Sequence, residues 1–269
     1  MAFESIYSLS ALAALLPVAL LPVVRGGHFH GRGIVFWAAI AVAAAGPLSW
    51  SYVQLTGGWR TGLSMTLWLT IAASILVFAV VAAWTRHGFR LMVLLAPYLL
   101  LLGFLATIWA HAPERPLAAL APGVWLGFHI GVSVLTYALI TVAAIAGLAV
   151  ALQERALKAK HPTGLSHLLP SVSDGEALQV GLLGASFLVL GAGILSGMAN
   201  QYFQSGAVLV FNHKTLFTLA AFAVIAALLL VHYRFGIGGR RVARIVLLAY
   251  LLLTIGYPGV KLVTDVVMG

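Results

Sequence analysis

The stretch VFNHKTLFTLAAFAVIAALLLVHYRFGIGGRR, residues 210 to 241, decides the fold of this chain. Its apolar run carries a histidine at each end, His213 and His232, with Lys214 beside the first and Arg234 beside the second. Nineteen helical steps of ~1.5 Å separate the two histidines by about 28 Å, which is close to the ~30 Å thickness of a bilayer hydrocarbon core. The stretch therefore predicts a transmembrane helix with its two histidines at opposite membrane faces.

The composition of the whole chain agrees with this prediction. Hydrophobic residues make up 62% of the sequence, charged residues only 8%, and the mean hydropathy is +1.07. These values exclude a water-soluble domain and predict an all-α, polytopic membrane helix bundle that forms one integral membrane domain over residues 1–269. The chain has no cysteine, so any metal or redox chemistry must use His, Met, a carboxylate or a bound cofactor.

Apolar runs of ~20 residues, bounded by charged or Gly/Pro-rich breaks, predict about eight transmembrane helices. The predicted spans are 5–24, 33–55, 63–84, 91–110, 123–152, 176–198, 213–233 and 242–263. The fifth run exceeds one bilayer thickness, so we expect it to tilt or to continue into the segment LQERALKAK. The first run follows MAFE, which lacks Lys and Arg, and is therefore expected to be a retained span.

The basic residues predict the orientation of the bundle. Loops after odd-numbered spans hold eleven Lys and Arg residues, against four in the other loops and the tail. By the positive-inside rule the odd-numbered loops face the cytoplasm and both termini lie outside. The formal net charge of +9 is accordingly read as an orientation signal, and the basic loop at Arg240, Arg241 and Arg244 is expected to contact anionic lipid rather than nucleic acid.

Some helix ends can also be predicted. Asn212 is placed to cap the seventh span, and Ser173 with Glu176 has the spacing of a capping box at the start of the sixth. The sixth span, GLLGASFLVLGAGILSGMAN, is rich in small residues, which predicts close helix packing.

His129 is the strongest candidate for a functional residue. It lies inside the fifth span, in GVWLGFHIGVSVLTYAL, and is followed by Ser133, Thr136, Tyr137 and Thr141 on roughly one side of the helix. An ionisable side chain at this depth is costly without a partner, so it marks a functional site by default. The alternative is a histidine that is hydrogen-bonded to a neighbouring helix.

His213 is predicted to lie at the same outer level as His129. Two neutral imidazoles facing each other across a bundle can bind a haem iron from both sides, with basic residues pairing with the propionates. Lys214, Arg60 and Arg115 are on the correct side for that role. The alternative for His213 is an interfacial residue at a helix start.

Other polar residues offer weaker signals. His232 lies in a last helical turn, where the helix dipole favours it without any ligand. The HFH sequence at His28 to His30 is expected to be solvated, because no third ligand is nearby. All acidic residues lie at span ends, so no buried carboxylate pair supports an enzyme or a proton-coupled transporter. We therefore expect no enzymatic activity.

Three segments carry a resemblance to a known family: WLGFHIGVSVLTYALITVAAIAGLAVALQERALK, HLLPSVSDGEALQVGLLGASFLVLGAGILSGMA, and the stretch from NHKTLF to GVKLV. They resemble the cytochrome c assembly (CcsA/CcmC-like) membrane family, most closely its YpjD/HemX-type eight-span branch. The resemblance implies a bacterial inner-membrane protein with periplasmic termini. It covers about three quarters of the chain and is strongest after residue 120.

The resemblance also implies roles for particular residues. His129 matches an outer-face haem ligand of the family, and His232 matches a histidine implicated in receiving haem near the cytoplasm. Lys214 falls on the family lysine, and His213 takes the place of an acidic or proline residue of the family. His213 is a candidate substitute for the second outer haem ligand. The loop ANQYFQSGAVLVF has no tryptophan, unlike the tryptophan-rich loop that holds haem in the cytochrome-assembly members.

The expected function is therefore the non-covalent binding and handling of haem b in cytochrome c assembly or haem homeostasis. Haem and membrane lipids are the expected partners, with another membrane protein as a candidate. The alternative is a ligand-free scaffold or regulatory subunit of a transporter or of a tetrapyrrole-pathway enzyme. A small-molecule or ion transporter is the third hypothesis.

Overall fold

The computed structural model describes residues 2–25, 32–56, 60–111, 115–116, 123–160, 163–208, 210, 212–236 and 238–259. Its α-helices are α1 Ala2–Ala14, α2 Leu16–Arg25, α3 Ile34–Thr56, α4 Leu63–Trp84, α5 Met92–Ile108, α6 Gly123–Ala159, α7 Gly164–Leu168, α8 Val172–Ser205, α9 His213–Phe235 and α10 Gly239–Thr254. Short 3₁₀ helices cover Gly88–Leu91 and Trp109–His111, and a π-helical turn, Ile255–Gly259, follows α10. Two-residue strands, β1 Arg60–Thr61 and β2 Arg115–Pro116, form an antiparallel pair.

Helix α6 is the centre of the bundle. It packs along α8, which is the most extensive helix pair, and also contacts α4 and α10. Its 37 residues correspond to about 55 Å, well beyond one bilayer thickness. The expectation that the fifth span continues into LQERALKAK is therefore confirmed.

Six helices among the described residues are long and apolar enough to cross a membrane: Ile34–Leu55, Leu63–Trp84, Gly88–Ile108, Val124–Ala159, Val172–Phe203 and Lys214–Phe235. They coincide with six of the eight predicted spans. The other two predicted spans are also helical, but their apolar helices, Ile6–Pro22 and Val242–Thr254, are shorter. The helical fold class is confirmed, and eight membrane crossings stay a prediction.

Proline chemistry explains why the first predicted span is two helices. The helix is interrupted at Leu15, whose amide donates a hydrogen bond to the carbonyl of Leu12 in a 3₁₀-type turn. Pro17 follows and has no amide proton with which to continue the ladder from the preceding turn. The predicted span 5–24 is therefore helical but interrupted at Leu15, because a local backbone constraint acts within the hydrophobic run.

Contacts between loops divide the bundle into two ends. At the end called here the strand end, β1 pairs with β2, so the α3–α4 and α5–α6 loops meet. At the opposite end, called the basic end, His87 Nδ1 lies 3.0 Å from Asp174 Oδ2, and Arg90 Nη1 donates to the carbonyl of Leu169 at 3.1 Å. These contacts join loops that the charge count assigned to one common face.

The helix caps correct one prediction and confirm another. Asn212 Oδ1 accepts a hydrogen bond from the amide of Thr215 at 2.9 Å, so the predicted cap of α9 is confirmed. The predicted Ser173–Glu176 capping box is wrong, because α8 begins one turn earlier than its apolar run. Ser171 is the cap, and its Oγ accepts from the amide of Asp174 at 3.1 Å.

The outer surface of the bundle is suited to lipid. Large apolar side chains are exposed along the transmembrane helices, as expected when lipid replaces water as the surrounding solvent. Exposed aromatic residues occur near both ends, with Trp84 and Tyr233 at the basic end and Tyr52 and Tyr202 at the strand end. Aromatic residues at such levels are typical of the two membrane–water interfaces.

Basic residues at the basic end also serve the fold. Arg32 Nη1 donates to the carbonyls of Ala82 and Ala83 at 2.6 and 3.0 Å, so a positive charge caps the C-terminus of α4. The predicted basic loop at Arg240, Arg241 and Arg244 is not a loop, because these residues form the first turns of α10. Helix α10 begins at Gly239, after the N-cap Gly238, and so starts before residue 242, where the apolar pattern placed it.

Candidate functional site

The imidazole of His129 lies about 9 Å inside α6, six residues from the start of that helix. The side chain is half-buried and faces α8. A polar ring at this level, inside an apolar span, is costly unless neighbouring groups satisfy it.

Ser196 of α8 supplies the contact. His129 Nδ1 lies 2.9 Å from Ser196 Oγ, and Ser196 Oγ in turn donates to the carbonyl of Gly193 at 3.0 Å. Ser196 is only 2% exposed, so this hydrogen bond is shielded from solvent. The bond to a neighbouring helix, which the sequence left as the alternative for His129, is therefore present.

This bond accounts for only one of the two ring nitrogens. The backbone carbonyl of Gly193 also lies beside the imidazole, but no described side chain hydrogen-bonds Nε2 of His129. A neutral imidazole that is held through Nδ1 can present Nε2 to a metal, which is the usual arrangement of a ligating histidine.

Glycine at position 197 makes room for the ring. A Cβ atom added at Gly197 would lie 3.1 Å from His129 Cε1, closer than ordinary van der Waals contact. One turn earlier, a Cβ on Gly193 would lie 3.4 Å from Val132 of α6. The small residues that predicted close packing in the sixth span thus bring α6 and α8 together beside His129.

Trp125 extends the site towards the strand end. Its Nε1 donates to the backbone carbonyl of Ser196 at 3.3 Å, and its ring lies 5.9 Å from that of Phe128. Both aromatic side chains are exposed, one turn and one residue before His129. An exposed aromatic surface beside a free imidazole nitrogen is suited to a flat, apolar ligand.

The hydroxyl residues that follow His129 are not part of this site. Ser133, Thr136 and Thr141 each donate to the carbonyl four residues earlier in their own helix. Such bonds satisfy a hydroxyl locally inside a transmembrane helix. Their alignment with His129 in the sequence therefore reflects helix periodicity and not a shared site.

Tyr137 belongs to a second polar cluster, which sequence reasoning missed. Its hydroxyl lies 2.6 Å from Thr254 Oγ1 of α10, and the hydroxyl of Tyr98 on α5 hydrogen-bonds that of Tyr250 on α10. The ring of Tyr250 lies 6.3 Å from that of Tyr98 and 5.6 Å from that of Tyr137. No spacing could reveal this cluster, because the chain separates Tyr98 and Tyr250 by 152 residues.

The predicted pairing of His213 with His129 lies outside what the described side chains test. His213 is the first residue of α9, at the strand end as predicted, but its side chain lies outside the described part of the chain. Helix α9 packs against α8 and α10, whereas the imidazole of His129 contacts α8. The bis-histidine pair stays a prediction.

Three basic residues were predicted to accompany that pair. Lys214 is exposed in the first turn of α9. The strand register places Arg60 opposite Pro116 and Thr61 opposite Arg115, so both arginine backbones lie on adjoining strands at the strand end. The arginine side chains are outside the described residues.

The remaining predicted histidines lie elsewhere. His232 is half-buried in the last turn of α9, at the basic end, where its ring contacts that of Tyr233 at 5.3 Å and its carbonyl accepts from the amide of Gly236. It is therefore at the opposite end from His129. His28 and His30 fall outside the described residues. Across the described ranges, no group of three His, Asp or Glu side chains could hold a metal ion.

An apolar groove of about 260 Å³ lies between α4 and α6, with Leu55 of α3 at its edge. Gly127, Ile130, Gly131 and Val134 line it from α6, but His129 does not. The groove and the Ser196 contact therefore use different faces of the same helix.

Known proteins provide an independent comparison. Residues 59–268 match the family described as "Cytochrome C assembly protein". A protein of Azospirillum brasilense, described as "Uncharacterized 28.8 kDa protein in nifR3-like 5'region", is 53% identical over 266 residues, covering 98% of each chain. No solved structure matches the sequence.

Proposed function

Because the chain belongs to the cytochrome c assembly protein family, we propose that it binds haem b at the strand end of its bundle, with His129 as an axial ligand of the iron. Family membership supports a haem-handling role in general. The free Nε2 atom of His129 is the single observation that supports this particular site. The proposed role is non-enzymatic, and it serves the assembly of cytochrome c or the supply of its haem.

The residues around His129 fit such a group. A haem iron takes a neutral imidazole nitrogen as its axial ligand, and Nε2 is the nitrogen that the protein leaves unused. Gly197 makes room for the ring, and Trp125 with Phe128 provides an apolar aromatic surface beside it. A bound haem would supply an iron centre that can change oxidation state.

His213 and Lys214 are the proposed partners of His129 on the α9 side. Both open α9 at the strand end, where a helix N-terminus favours negatively charged groups such as haem propionates. Lys214, Arg60 and Arg115 add positive charge at this end. His232, at the basic end, is proposed to contact haem at the other membrane face, independently of His129.

The proposed location is the inner membrane of a bacterium, with both termini in the periplasm. The eleven-to-four distribution of basic residues supports this orientation, and contacts between loops support their division into two faces. The strand end, and the His129 site with it, would then face the periplasm. The YpjD/HemX-type branch within the family stays part of this proposal.

An absorption spectrum of the purified full-length protein tests the site. After loading with haem b, we expect a Soret band and sharp α and β bands on reduction. His129→Ala should lower haem occupancy, whereas His167→Ala should not, because His167 is an exposed histidine on α7. His213→Ala should open a coordination position and alter the spectrum.

Each result has a defined consequence. Haem lost in the His129 variant but unchanged in the His213 variant would keep the site and remove His213 from it. A protein that stays colourless with excess haem would overturn the proposal and leave the scaffold or regulatory subunit as the working hypothesis.

A further inference from the structure

We infer that Ser196 is a positioning residue that fixes the tautomer of His129, so that the proton lies on Nδ1 and the lone pair on Nε2. The inference deepens the proposed function. Only one part of it, the use of that lone pair as an iron ligand, rests on the proposed binding of haem. The position of the proton itself follows from hydrogen bonding around Ser196 and can be measured without haem.

The bonding begins with the single proton of a serine hydroxyl. Ser196 Oγ has one proton to donate and two lone pairs that accept. The carbonyl of Gly193, 3.0 Å away on the same helix, can only accept, so it receives that proton. The contact between Oγ and His129 Nδ1, at 2.9 Å, must then be donated by the imidazole.

The opposite tautomer satisfies fewer groups. If Nε2 carried the proton, Ser196 would have to turn its hydroxyl towards Nδ1, and Gly193 would lose its side-chain hydrogen bond. The Nε2–H group would also have no side-chain acceptor among the described residues. Two hydrogen bonds form with the proton on Nδ1 and only one with the proton on Nε2, and an unpaired donor in an apolar setting is unfavourable.

Packing holds Ser196 in place for this task. Its side chain is almost fully buried, and its backbone carbonyl accepts from Trp125 Nε1 on α6. Gly197, the next residue, lies against the ring of His129. Two residues of α6, Trp125 and His129, therefore contact Ser196 and its neighbour Gly197 and fix the position of the serine.

The direct test is the protonation of the His129 ring in the haem-free protein. Full-length protein labelled with ¹⁵N-histidine and reconstituted in nanodiscs gives ring nitrogen shifts that distinguish the two tautomers, with His129→Gln assigning the signal. We expect Nδ1–H in the wild type. In Ser196→Ala the signal should move towards Nε2–H or a mixture of the two.

Ser186 provides a matched control. It lies on the same helix, is fully buried and donates to the carbonyl of Leu183 at 2.8 Å, as Ser196 does to Gly193. Ser186→Ala should leave the tautomer of His129 unchanged. Ser196→Thr keeps a hydroxyl and should restore the wild-type signal, which a loss of packing alone would not explain.

Haem titration provides the second measurement. Loss of an outer hydrogen-bond partner of a ligating histidine commonly lowers metal affinity about 10- to 100-fold. We expect a loss in this range for Ser196→Ala and none for Ser186→Ala.

The inference is overturned if the wild-type ring carries its proton on Nε2, or if Ser196→Ala leaves both the tautomer and the haem affinity unchanged. A wild-type ring protonated on Nδ1 and altered in Ser196→Ala, in a protein that never binds haem, supports the role of Ser196 and overturns the proposed function alone.

Discussion

The carboxylate of Glu176 accepts a hydrogen bond from the backbone amide of Gly239, although 63 residues separate them in the chain. The bond joins the first turns of α8 to the N-terminus of α10, where a negative charge is favourable. Glu154 of α6 lies against the same glycine. Two carboxylates from two helices therefore hold the start of α10 at the basic end.

Gly239→Ala should destabilise the bundle more than an ordinary glycine substitution. Gly239 has φ +66°, and a Cβ atom there would overlap the Glu154 carboxylate. Left-handed backbone costs a residue with a Cβ roughly 1–2 kcal/mol, and the Glu154 carboxylate, at the end of its side chain, must also move aside. Thermal unfolding in detergent measures the combined loss.

Gly236→Ala is the matched control for that substitution. Gly236 has a similar φ of +63°, but no atom lies within 4 Å of the position that a Cβ would occupy there. Gly236→Ala should therefore lower the unfolding free energy only by the cost of the left-handed backbone. Equal losses in the two variants would mean that contact with Glu154 does not restrict position 239.

Gly197→Ala should disturb the imidazole of His129. The added methyl group would lie 3.1 Å from Cε1, so the ring or the helix must move by a few tenths of an ångström. Gly184→Ala, on the same helix with open space around it, should stabilise the protein by about 0.4–1 kcal/mol. We expect Gly197→Ala to lack that gain and to lower haem affinity. A gain equal to that of Gly184→Ala, with unchanged haem affinity, would contradict the close contact.

Tyr98 and Tyr250 should be energetically coupled. Removing the Tyr250 hydroxyl leaves the Tyr98 hydroxyl without its hydrogen-bond partner, whereas removing both hydroxyls leaves Tyr98 with no unpaired group. A double-mutant cycle of Tyr98→Phe and Tyr250→Phe should therefore give a coupling of about 0.5–1.5 kcal/mol in unfolding free energy. Tyr98→Phe combined with Tyr52→Phe should be additive, since Tyr52 lies exposed on α3. Additivity in the first pair would rule out the Tyr98–Tyr250 hydrogen bond as a stabilising contact.

Cysteine labelling tests the membrane orientation. The chain has no native cysteine, so a single introduced thiol reports its own side. Lys158, whose side chain is 69% exposed, lies towards the basic end, and Ser205 is exposed at the strand end. In intact cells an impermeant reagent should label Ser205→Cys and not Lys158→Cys. The reverse pattern would invert the topology.

Anionic lipid should stabilise the protein through the basic end. Arg86, Arg155, Lys160, Arg234 and Arg244 are exposed there, and each contributes on the order of 1 kcal/mol near an anionic surface. Thermal stability should therefore be higher in nanodiscs with phosphatidylglycerol than in neutral ones, and the difference should fall in Arg155→Gln/Lys160→Gln. The same stability in both lipids would exclude this contribution.

Several features of the fold could be predicted from short stretches of the sequence. The hydrophobic lengths of α3, α4, α5, α6, α8 and α9 placed six membrane-length helices, and Asn212 located the start of α9. The errors arose where another local rule competed with hydropathy. Pro17 divided the first helix, and Ser171 started α8 before its apolar residues began.

The sequence by itself determined the membrane class, the approximate positions of the long helices and which loops share one end of the bundle, and it predicted a functional role for His129. These depend on apolar length, charge and the cost of an ionisable group in a span, which act within one helix or loop. Only the tertiary structure decided which nitrogen of His129 is engaged, that Ser196 engages it, and that Tyr98, Tyr137 and Tyr250 meet. These contacts depend on which helix faces meet across 67 residues or more, and helix periodicity fixes the faces of each helix without fixing their partners.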